Sequence, residues 1–341
     1  MEASTRSQSG RRPAAGCELT LVEAVNRALA RAMEEDETVI LLGEDIGVDG
    51  GVFRATDGLI ERFGEERVRD TPLSEALIGG LPVGLAAMGF RPVVEIQFMG
   101  FIYPVIDQIV NHAARLRTRT RGRLTCPMVL RAPYGGGIHA PEHHSESMEA
   151  MFAHIPGIKV AIPSSPTRAY GLLLAAIRDP DPVIFLEPKR VYRAVREAVE
   201  DDGTAMRLGE CFLVREGTDL TLVSWGAMMN ETMEAAEALA NEDVAAEVID
   251  VATLNPLDMR TVLASVEKTG RCVVVHEAPL TGGFGAEIAA RLAGEGLMSL
   301  LAPVERVAGW DTVMPLPKLE HRYMPSVRRI LAAARRVLEH G

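Results

Sequence analysis

The chain has 341 residues, of which 47% are hydrophobic and 24% are charged, so it has room for two globular domains of ordinary size. Its formal net charge of −11 argues against nucleic acid as a main partner, and no apolar run reaches the roughly 18–20 residues needed to cross a bilayer. The four cysteines are widely scattered without a paired spacing, which predicts reduced thiols rather than disulfides or a zinc site.

The first sixteen residues are polar, rich in Ser and Arg, and lack the apolar stretch of a secretory signal. We interpret residues 1–16 as a disordered tail, and a short organellar transit peptide is the alternative. The expected compartment is the bacterial cytoplasm, with the mitochondrial matrix as the less favoured choice.

The residues after the tail alternate between helical and strand patterns. Thr20 and Glu23 form a capping box that predicts the start of a helix. The apolar run at 39–42 is typical of a strand covered on both faces. Strands are likewise predicted at 92–96, 128–130, 159–162 and 183–186, and helices at 106–116 and 168–177. This alternation predicts a parallel sheet flanked by helices.

A change to acidic, poorly periodic sequence between residues 194 and 209 predicts a domain boundary. The alternation then resumes, with strands at 220–225, 246–251 and 272–276 and helices at 229–241, 258–266 and 286–293. The predicted fold class is therefore α/β with two parallel-sheet domains, at 17–198 and 205–341.

One carboxylate opens a long apolar segment. Thr71-Pro-Leu-Ser-Glu75 is followed by the glycine-containing stretch 76–87, which predicts burial. Because burial disfavours the charged form, Glu75 would tend to be protonated and could deliver a proton to a ring nitrogen. The alternative is a glutamate that only interacts with the dipole at a helix N-terminus.

A second candidate feature is the loop from Tyr134 to Ser147, which contains three consecutive glycines and three histidines. Glycines allow a loop to approach a ligand closely. The spacing of His139, His143 and His144 raises the question of a metal, but no paired cysteine or clear carboxylate partner supports zinc.

These motifs together resemble the β subunits of thiamine-diphosphate-dependent 2-oxo acid dehydrogenases. The likeness runs from about Thr20 to the carboxyl end and depends on the order and spacing of several motifs. They are Leu42-Gly-Glu-Asp45, Thr71–Glu75, Glu95-Ile-Gln-Phe98, Phe101, Ile106–Asn111, His144-Ser145, Glu149–His154 and Pro156–Val160. The resemblance implies a pyrimidine-binding domain followed by a transketolase C-terminal-like domain.

The resemblance also implies roles for individual residues. Glu75 would hydrogen-bond N1′ of the cofactor's aminopyrimidine, and His144 would be the second catalytic group, with His143 as the alternative. The implied cofactor contacts are Glu44, Leu73, Ser74, Gln97 and Phe101, and the implied substrate contacts are Phe98, Met99 and Gly100. A structural K⁺ held by backbone carbonyls would involve Cys126, Met128, Val129, Ala176, Asp179 and Asp181.

A missing motif predicts a partner chain. Thiamine enzymes hold the diphosphate through Mg²⁺ with a Gly-Asp-Gly sequence, which this chain lacks. The expectation is an α subunit that supplies this clamp in an α₂β₂ heterotetramer, which would dock on a lipoyl acyltransferase core.

The predicted activity is oxidative decarboxylation of a 2-oxo acid with acyl transfer to lipoamide. The segments 185–193 and 276–284 resemble the branched-chain type, so 3-methyl-2-oxobutanoate (2-oxoisovalerate) is the expected substrate. The alternatives are a pyruvate or acetoin dehydrogenase β subunit and, in another class, a non-catalytic scaffold subunit. Gly282-Gly-Phe-Gly285 lacks the third glycine of a dinucleotide fingerprint, which excludes a nicotinamide reading.

Overall fold

A computed structural model describes residues 16–340, so the predicted tail at 1–16 lies, except for Gly16, outside the described residues. The strands are β1 Cys17–Leu19, β2 Val39–Gly43, β3 Val68–Asp70, β4 Arg91–Glu95, β5 Val129–Tyr134, β6 Lys159–Ala161, β7 Val183–Pro188, β8 Glu197–Val199, β9 Phe212–Arg215, β10 Leu220–Ser224, β11 Ala246–Asp250, β12 Thr253–Asn255, β13 Cys272–Pro279 and β14 Glu305–Gly309. The helices are α1 Leu21–Glu35, α2 Leu59–Phe63, α3 Glu75–Ala87, α4 Ile106–Asn111, α5 Leu116–Arg119, α6 Glu149–Ala153, α7 Pro166–Arg178, α8 Met228–Ala240, α9 Met259–Thr269, α10 Gly285–Glu295, α11 Pro317–Tyr323 and α12 Val327–Leu338.

The first sheet has seven strands in the order β12-β6-β7-β5-β4-β2-β3. Its pairs are parallel except for the edge pair of β12 with β6. The central strands are buried along their whole length because helices such as α1 and α7 cover the sheet, as the apolar runs predict. The helix predicted at 106–116 is instead broken into α4, a 3₁₀ turn and α5.

The second sheet has five strands in the order β14-β13-β10-β11-β9, and only the edge strand β9 runs antiparallel. The short strands β1 and β8 form a separate antiparallel ribbon at the ends of the first half of the chain. The chain is therefore an α/β protein with two mainly parallel sheets. None of the helices formed by residues 16–340 is long and apolar enough to cross a membrane.

The two halves share a strand and a hydrophobic core. Strand β12 comes from the segment predicted to form the second domain, yet it pairs with β6 of the first sheet. One cluster of buried side chains runs from Leu130 in the first sheet to Trp225 and Val274 in the second. The halves therefore pack through a continuous apolar core rather than through a hydrated polar interface.

A buried ion network joins the central strands of the first sheet. Arg131 on β5 donates to Glu95 at the end of β4 at 2.8 Å, and to Glu187 on β7 at 2.6 Å. The Tyr192 hydroxyl also donates to Glu187 at 2.6 Å. Because a buried charge must be paired, this network aligns three strands directly below the edge at which their loops begin.

Candidate active site

The candidate residues follow the carboxyl ends of neighbouring strands. β2, β3, β4 and β5 end at Gly43, Asp70, Glu95 and Tyr134, and in the sheet these strands lie side by side. Parallel strands bring the loops that follow them to the same edge, where ligands of open α/β sheets bind. The structure thus brings Glu44, Glu75, Gln97–Phe101 and the histidine loop to one edge.

Two carboxylates lie close together at this edge. Glu44 follows β2 and is only 8% exposed, and its Oε1 atom has no hydrogen-bond partner among the described residues. Burial raises the pKa of Glu44, and the nearby charges of Glu75 and Asp45 raise it further. Thr71, at the turn into α3, likewise has a buried hydroxyl without a partner. The edge therefore contains polar atoms that a ligand could satisfy.

Glu75 is the first residue of α3, after Ser74 as N-cap. The prediction that Glu75 is buried in an apolar setting is wrong for this chain, because its side chain is only half-buried. Leu73 beside it is 82% exposed, and Leu77 is exposed as well. The reason is that the first turns of α3 project from the edge of the sheet, and no other part of residues 16–340 covers them.

The Gln97 side chain hydrogen-bonds the residue that directly follows Glu44. Its Nε2 donates to Asp45 Oδ2 at 3.1 Å. Asp45 has a positive φ of 56°, so the chain turns sharply after Glu44. The Gly47 amide then donates to Asp70 at 2.6 Å, which ties the loop after β2 to the end of β3.

Aromatic rings and histidines form the other side of the edge. The ring centroids of Phe98 and His144 are 4.5 Å apart, and those of Phe101 and His144 are 5.3 Å apart, both edge to face. His143 is 5.5 Å from Phe101. The Nδ1 atom of His144 is buried and has no partner among the described residues, whereas His143 is exposed. The packing of His144 makes it the better candidate of the two.

Gly100 permits this packing. A Cβ atom at Gly100 would lie 1.8 Å from the carbonyl oxygen of His143, so only glycine allows the two turns to meet. Met99 is 1% exposed, and its Sδ accepts from the Met148 amide at 3.3 Å. Met99 therefore packs in the core and Gly100 packs against His143, and their contact with substrate stays a prediction. Phe98 remains half-buried at the edge.

The three glycines of the histidine loop approach the second half of the chain rather than an open ligand site, contrary to the sequence expectation. A Cβ at Gly135 would lie 2.3 Å from Glu277 Oε1, and one at Gly136 would lie 2.4 Å from Met314. The Gly136 amide donates to Glu277 at 3.2 Å, and the Gly137 amide donates to Glu320 at 2.7 Å.

Sequence reasoning missed a buried polar cluster that joins residues of the two halves. Glu149 is fully buried, accepts from Trp225 Nε1 at 3.4 Å, and burial raises its pKa to about 7. His276 stacks on Trp225 at 5.3 Å, and burial lowers the pKa of its imidazole to about 4. The only signal in the sequence was a set of charged residues within or directly after apolar runs, such as His276 and Glu277 in β13.

No group of three or more His, Cys, Asp or Glu side chains within residues 16–340 is arranged to hold a metal ion. Among the residues proposed for K⁺, the carbonyls of Cys126, Met128 and Ala176 each accept a backbone amide, which leaves the second lone pair of each oxygen available. The carboxylates of Asp179 and Asp181 pair with Lys159 and Arg117. The K⁺ site stays a prediction from the resemblance alone.

The fold and the polar, aromatic edge define a transketolase-like protein. Models described as "Transketolase, pyrimidine binding domain" and "Transketolase, C-terminal domain" match residues 18–195 and 209–330. A solved structure described as a split gene transketolase, inactive beta4 tetramer, superposes with a TM-score of 0.79 at 24% identity, covering 95% of this chain and 99% of that chain.

Curated relatives narrow the class. Pyruvate dehydrogenase E1 component subunit beta of Bacillus subtilis (strain 168) is 49% identical over 322 residues, 94% of this chain and 99% of the relative. The same subunit of Staphylococcus epidermidis is 47% identical over the same coverage. The chain belongs to the family of E1 β subunits of 2-oxo acid dehydrogenases.

The expectation of a branched-chain substrate is not supported by these relatives, whose names specify pyruvate. The segments that suggested it serve packing instead. Phe185 is fully buried in β7. A Cβ at Gly283 or Gly285 would lie 2.6 or 2.7 Å from the ring of His276, so these glycines accommodate a buried imidazole. Packing of this kind carries no information about substrate.

Proposed function

We propose that the chain is the β subunit of a pyruvate-decarboxylating E1 component and contributes half of a thiamine diphosphate site. The observation that carries the proposal is the convergence of Glu44 and Glu75 with Gln97, Phe98, Phe101 and His144 at one sheet edge. The high identity to pyruvate dehydrogenase E1 β subunits supports pyruvate as the substrate.

The residues at the edge fit the pyrimidine half of the cofactor. Polar atoms of Glu44, Thr71 and His144 have no partner among the described residues, which supports a polar ligand at this edge. Glu75 would accept and donate a proton at the ring nitrogen, and Glu44, whose pKa is raised by burial and by Glu75, would lie beside it. Phe101 would stack on the ring, with Leu73, Ser74 and Gln97 around it. When bound, thiamine diphosphate would supply the electron sink for decarboxylation.

His144 is proposed to act on the substrate side. Contacts with Phe98 and Phe101 hold its ring, and its buried Nδ1 is free to hydrogen-bond a substrate or lipoyl group. Phe98 would contribute an apolar wall next to the reacting atoms. The aromatic contacts would also limit access of water to the proton that His144 transfers.

The partner chain is proposed from what this chain exposes and lacks. Leu73 and Leu77 are exposed next to Glu75, and neighbouring exposed apolar side chains of this kind mark a surface for another chain. The Gly-Asp-Gly sequence is missing, so an α subunit would hold Mg²⁺ and the diphosphate. The assembly would be an α₂β₂ heterotetramer on a lipoyl acyltransferase core, and the structural K⁺ belongs to the same set of proposals.

The test is reconstitution with an α chain that carries Gly-Asp-Gly. Thiamine-dependent decarboxylation would be measured with pyruvate and 3-methyl-2-oxobutanoate, and thiamine-dependent carbon–carbon cleavage with acetoin, which has no carboxylate to lose. We expect pyruvate to give the highest kcat/KM, and Glu75→Gln to lower kcat by about 10²–10⁴-fold because a positioned proton-transfer group is removed. The matched control is Glu66→Gln, an exposed carboxylate on the loop before β3.

Each outcome has a distinct meaning. Preference for 3-methyl-2-oxobutanoate would restore the branched-chain assignment. Wild-type turnover by Glu75→Gln would overturn the catalytic role and favour a scaffold subunit. If the chain alone bound thiamine diphosphate and turned over pyruvate, the partner proposal would be wrong.

A further inference from the structure

The loop that carries His144 is held by two carboxylates from the second half of the chain. The loop leaves β5 at Tyr134 and returns at Glu146, where the Gly135 amide donates to the Glu146 carbonyl at 2.8 Å. Between these ends the Glu277 carboxylate on β13 accepts from Gly136. The loop is thus closed at its base and fastened along one side.

Glu320 on α11 makes the larger contribution. Its two carboxylate oxygens accept separately from the Gly137 amide at 2.7 Å and the His139 amide at 3.1 Å. Among the described residues these amides donate to no other acceptor. Glu320 is only 3% exposed, so water cannot readily replace it. A charged acceptor that receives two amides is among the stronger hydrogen-bonding arrangements in a protein.

A buried lysine offsets part of the negative charge of these two carboxylates. Lys189, which follows β7, donates from Nζ to the Gly135 carbonyl and lies near both Glu277 and Glu320. Burial raises the pKa of Glu277, and the charges of Arg190 and Lys189 both lower it. Lys189 interacts with Glu320 as well, so cations accompany the buried carboxylates at the base of the loop. The glycines are required because Arg190 and Glu277 occupy the space of their missing side chains.

We propose that Glu320 is a positioning residue whose carboxylate sets the conformation of loop 135–146 and so places His144 beside Phe98 and Phe101. The catalytic consequence depends on the proposed function, whereas the control of the loop does not. The last residues of the loop form a turn in which the His144 amide donates to the Pro141 carbonyl at 2.9 Å. A shift of the segment from Gly137 to His139, which Glu320 holds, would therefore move Pro141 and, through this hydrogen bond, His144.

The first experiment is amide hydrogen exchange on the isolated chain. We expect Glu320→Ala to speed exchange of the peptide spanning 135–147 by about tenfold or more, because two bonds to a charged acceptor are lost. Glu320→Gln should give an intermediate increase, since an NH2 donor replaces one of the two carboxylate oxygens that accept from the loop. Glu339→Gln, the same chemical change at an exposed position, should match the wild type.

The second experiment uses the assembled enzyme. We expect kcat with pyruvate to fall by about 10–100-fold in Glu320→Ala while KM changes little, because a catalytic group is displaced and not a binding contact. The thermal midpoint of Glu320→Gln should stay near that of the wild type, which separates positioning from general destabilisation. Glu320→Gln also keeps the test usable if the alanine variant does not fold.

Unchanged exchange in a folded Glu320→Ala chain would overturn the role of the carboxylate. Faster exchange with unchanged kcat would show that the loop is held but does not position His144, which also overturns the proposal. An inactive wild-type assembly would contradict the proposed function instead, and the exchange experiment would still decide whether Glu320 controls the loop.

Discussion

Gly100→Ala tests the contact between the two turns that form the proposed substrate side of the site. The added Cβ would lie 1.8 Å from the carbonyl oxygen of His143. Since ordinary carbon–oxygen contacts begin near 3.4 Å, the turns must separate by roughly 1.5 Å. Neither turn can move alone, because Met99 is buried on one side and Ser145 on the other.

Two magnitudes follow from this displacement. Overpacking of this kind typically lowers the free energy of unfolding by about 1–3 kcal/mol. A displacement of about 1 Å at a catalytic group can lower the rate by about 10²-fold, so we expect kcat/KM of the assembled enzyme to fall at least that far. The assays are urea unfolding of the chain and initial rates of pyruvate decarboxylation.

Gly294→Ala is the matched control. Gly294 lies in α10, and its missing side chain would meet no heavy atom within 4 Å. Alanine is favoured over glycine in a helix by roughly 0.5–1 kcal/mol, so this variant should be as stable as the wild type or more stable. Wild-type stability and kcat/KM in Gly100→Ala would refute the packing argument.

Three further variants probe the buried charges. Arg131→Met should lower the free energy of unfolding by about 3–5 kcal/mol in urea, because Glu95 and Glu187 lose their partner; an unchanged midpoint would contradict this. Burial raises the pKa of Glu149 from 4.5 to about 7, so the free energy of unfolding falls as pH rises between these values. Glu149→Gln should abolish this fall of roughly 3 kcal/mol, and an unaltered dependence of the unfolding free energy on pH would contradict it. Burial lowers the pKa of His276 from 6.5 to about 4, so the free energy of unfolding falls as pH falls through this range. In unfolding titrations, His276→Gln should lose less stability over this pH range than the wild type.

The sequence was informative where the chemistry is local. Continuous apolar runs predicted the buried parallel strands, and the order of those strands explains why Glu44, Glu75 and Gln97 meet although they are far apart in the chain. A residue directly after a parallel strand must lie at the carboxyl edge, so the position of these side chains was accessible from sequence.

Contacts between distant segments could not be predicted in this way. Nothing local distinguishes Glu320, in the middle of a short amphipathic helix, from a solvated glutamate, and only the fold brings it to the histidine loop. The glycines of that loop were assigned to a ligand because sequence cannot show which atoms approach a bare backbone. The burial of Met99 was inaccessible for a similar reason, since the Met148 amide that bonds its sulfur lies 49 residues away in the chain.

The pairing of β12, from the second half of the chain, with β6 of the first sheet has a consequence for biosynthesis. While the nascent chain leaves the ribosome, β6 has an uncovered edge until Asn255 emerges, about 100 residues later. At a translation rate of about 5–20 residues per second the delay is roughly 5–20 s, long compared with the collapse of a sheet. An open edge of this kind is a template for pairing with other chains. The first half made alone would therefore tend to aggregate, and its yield in the cell would depend on chaperones until the second half is complete.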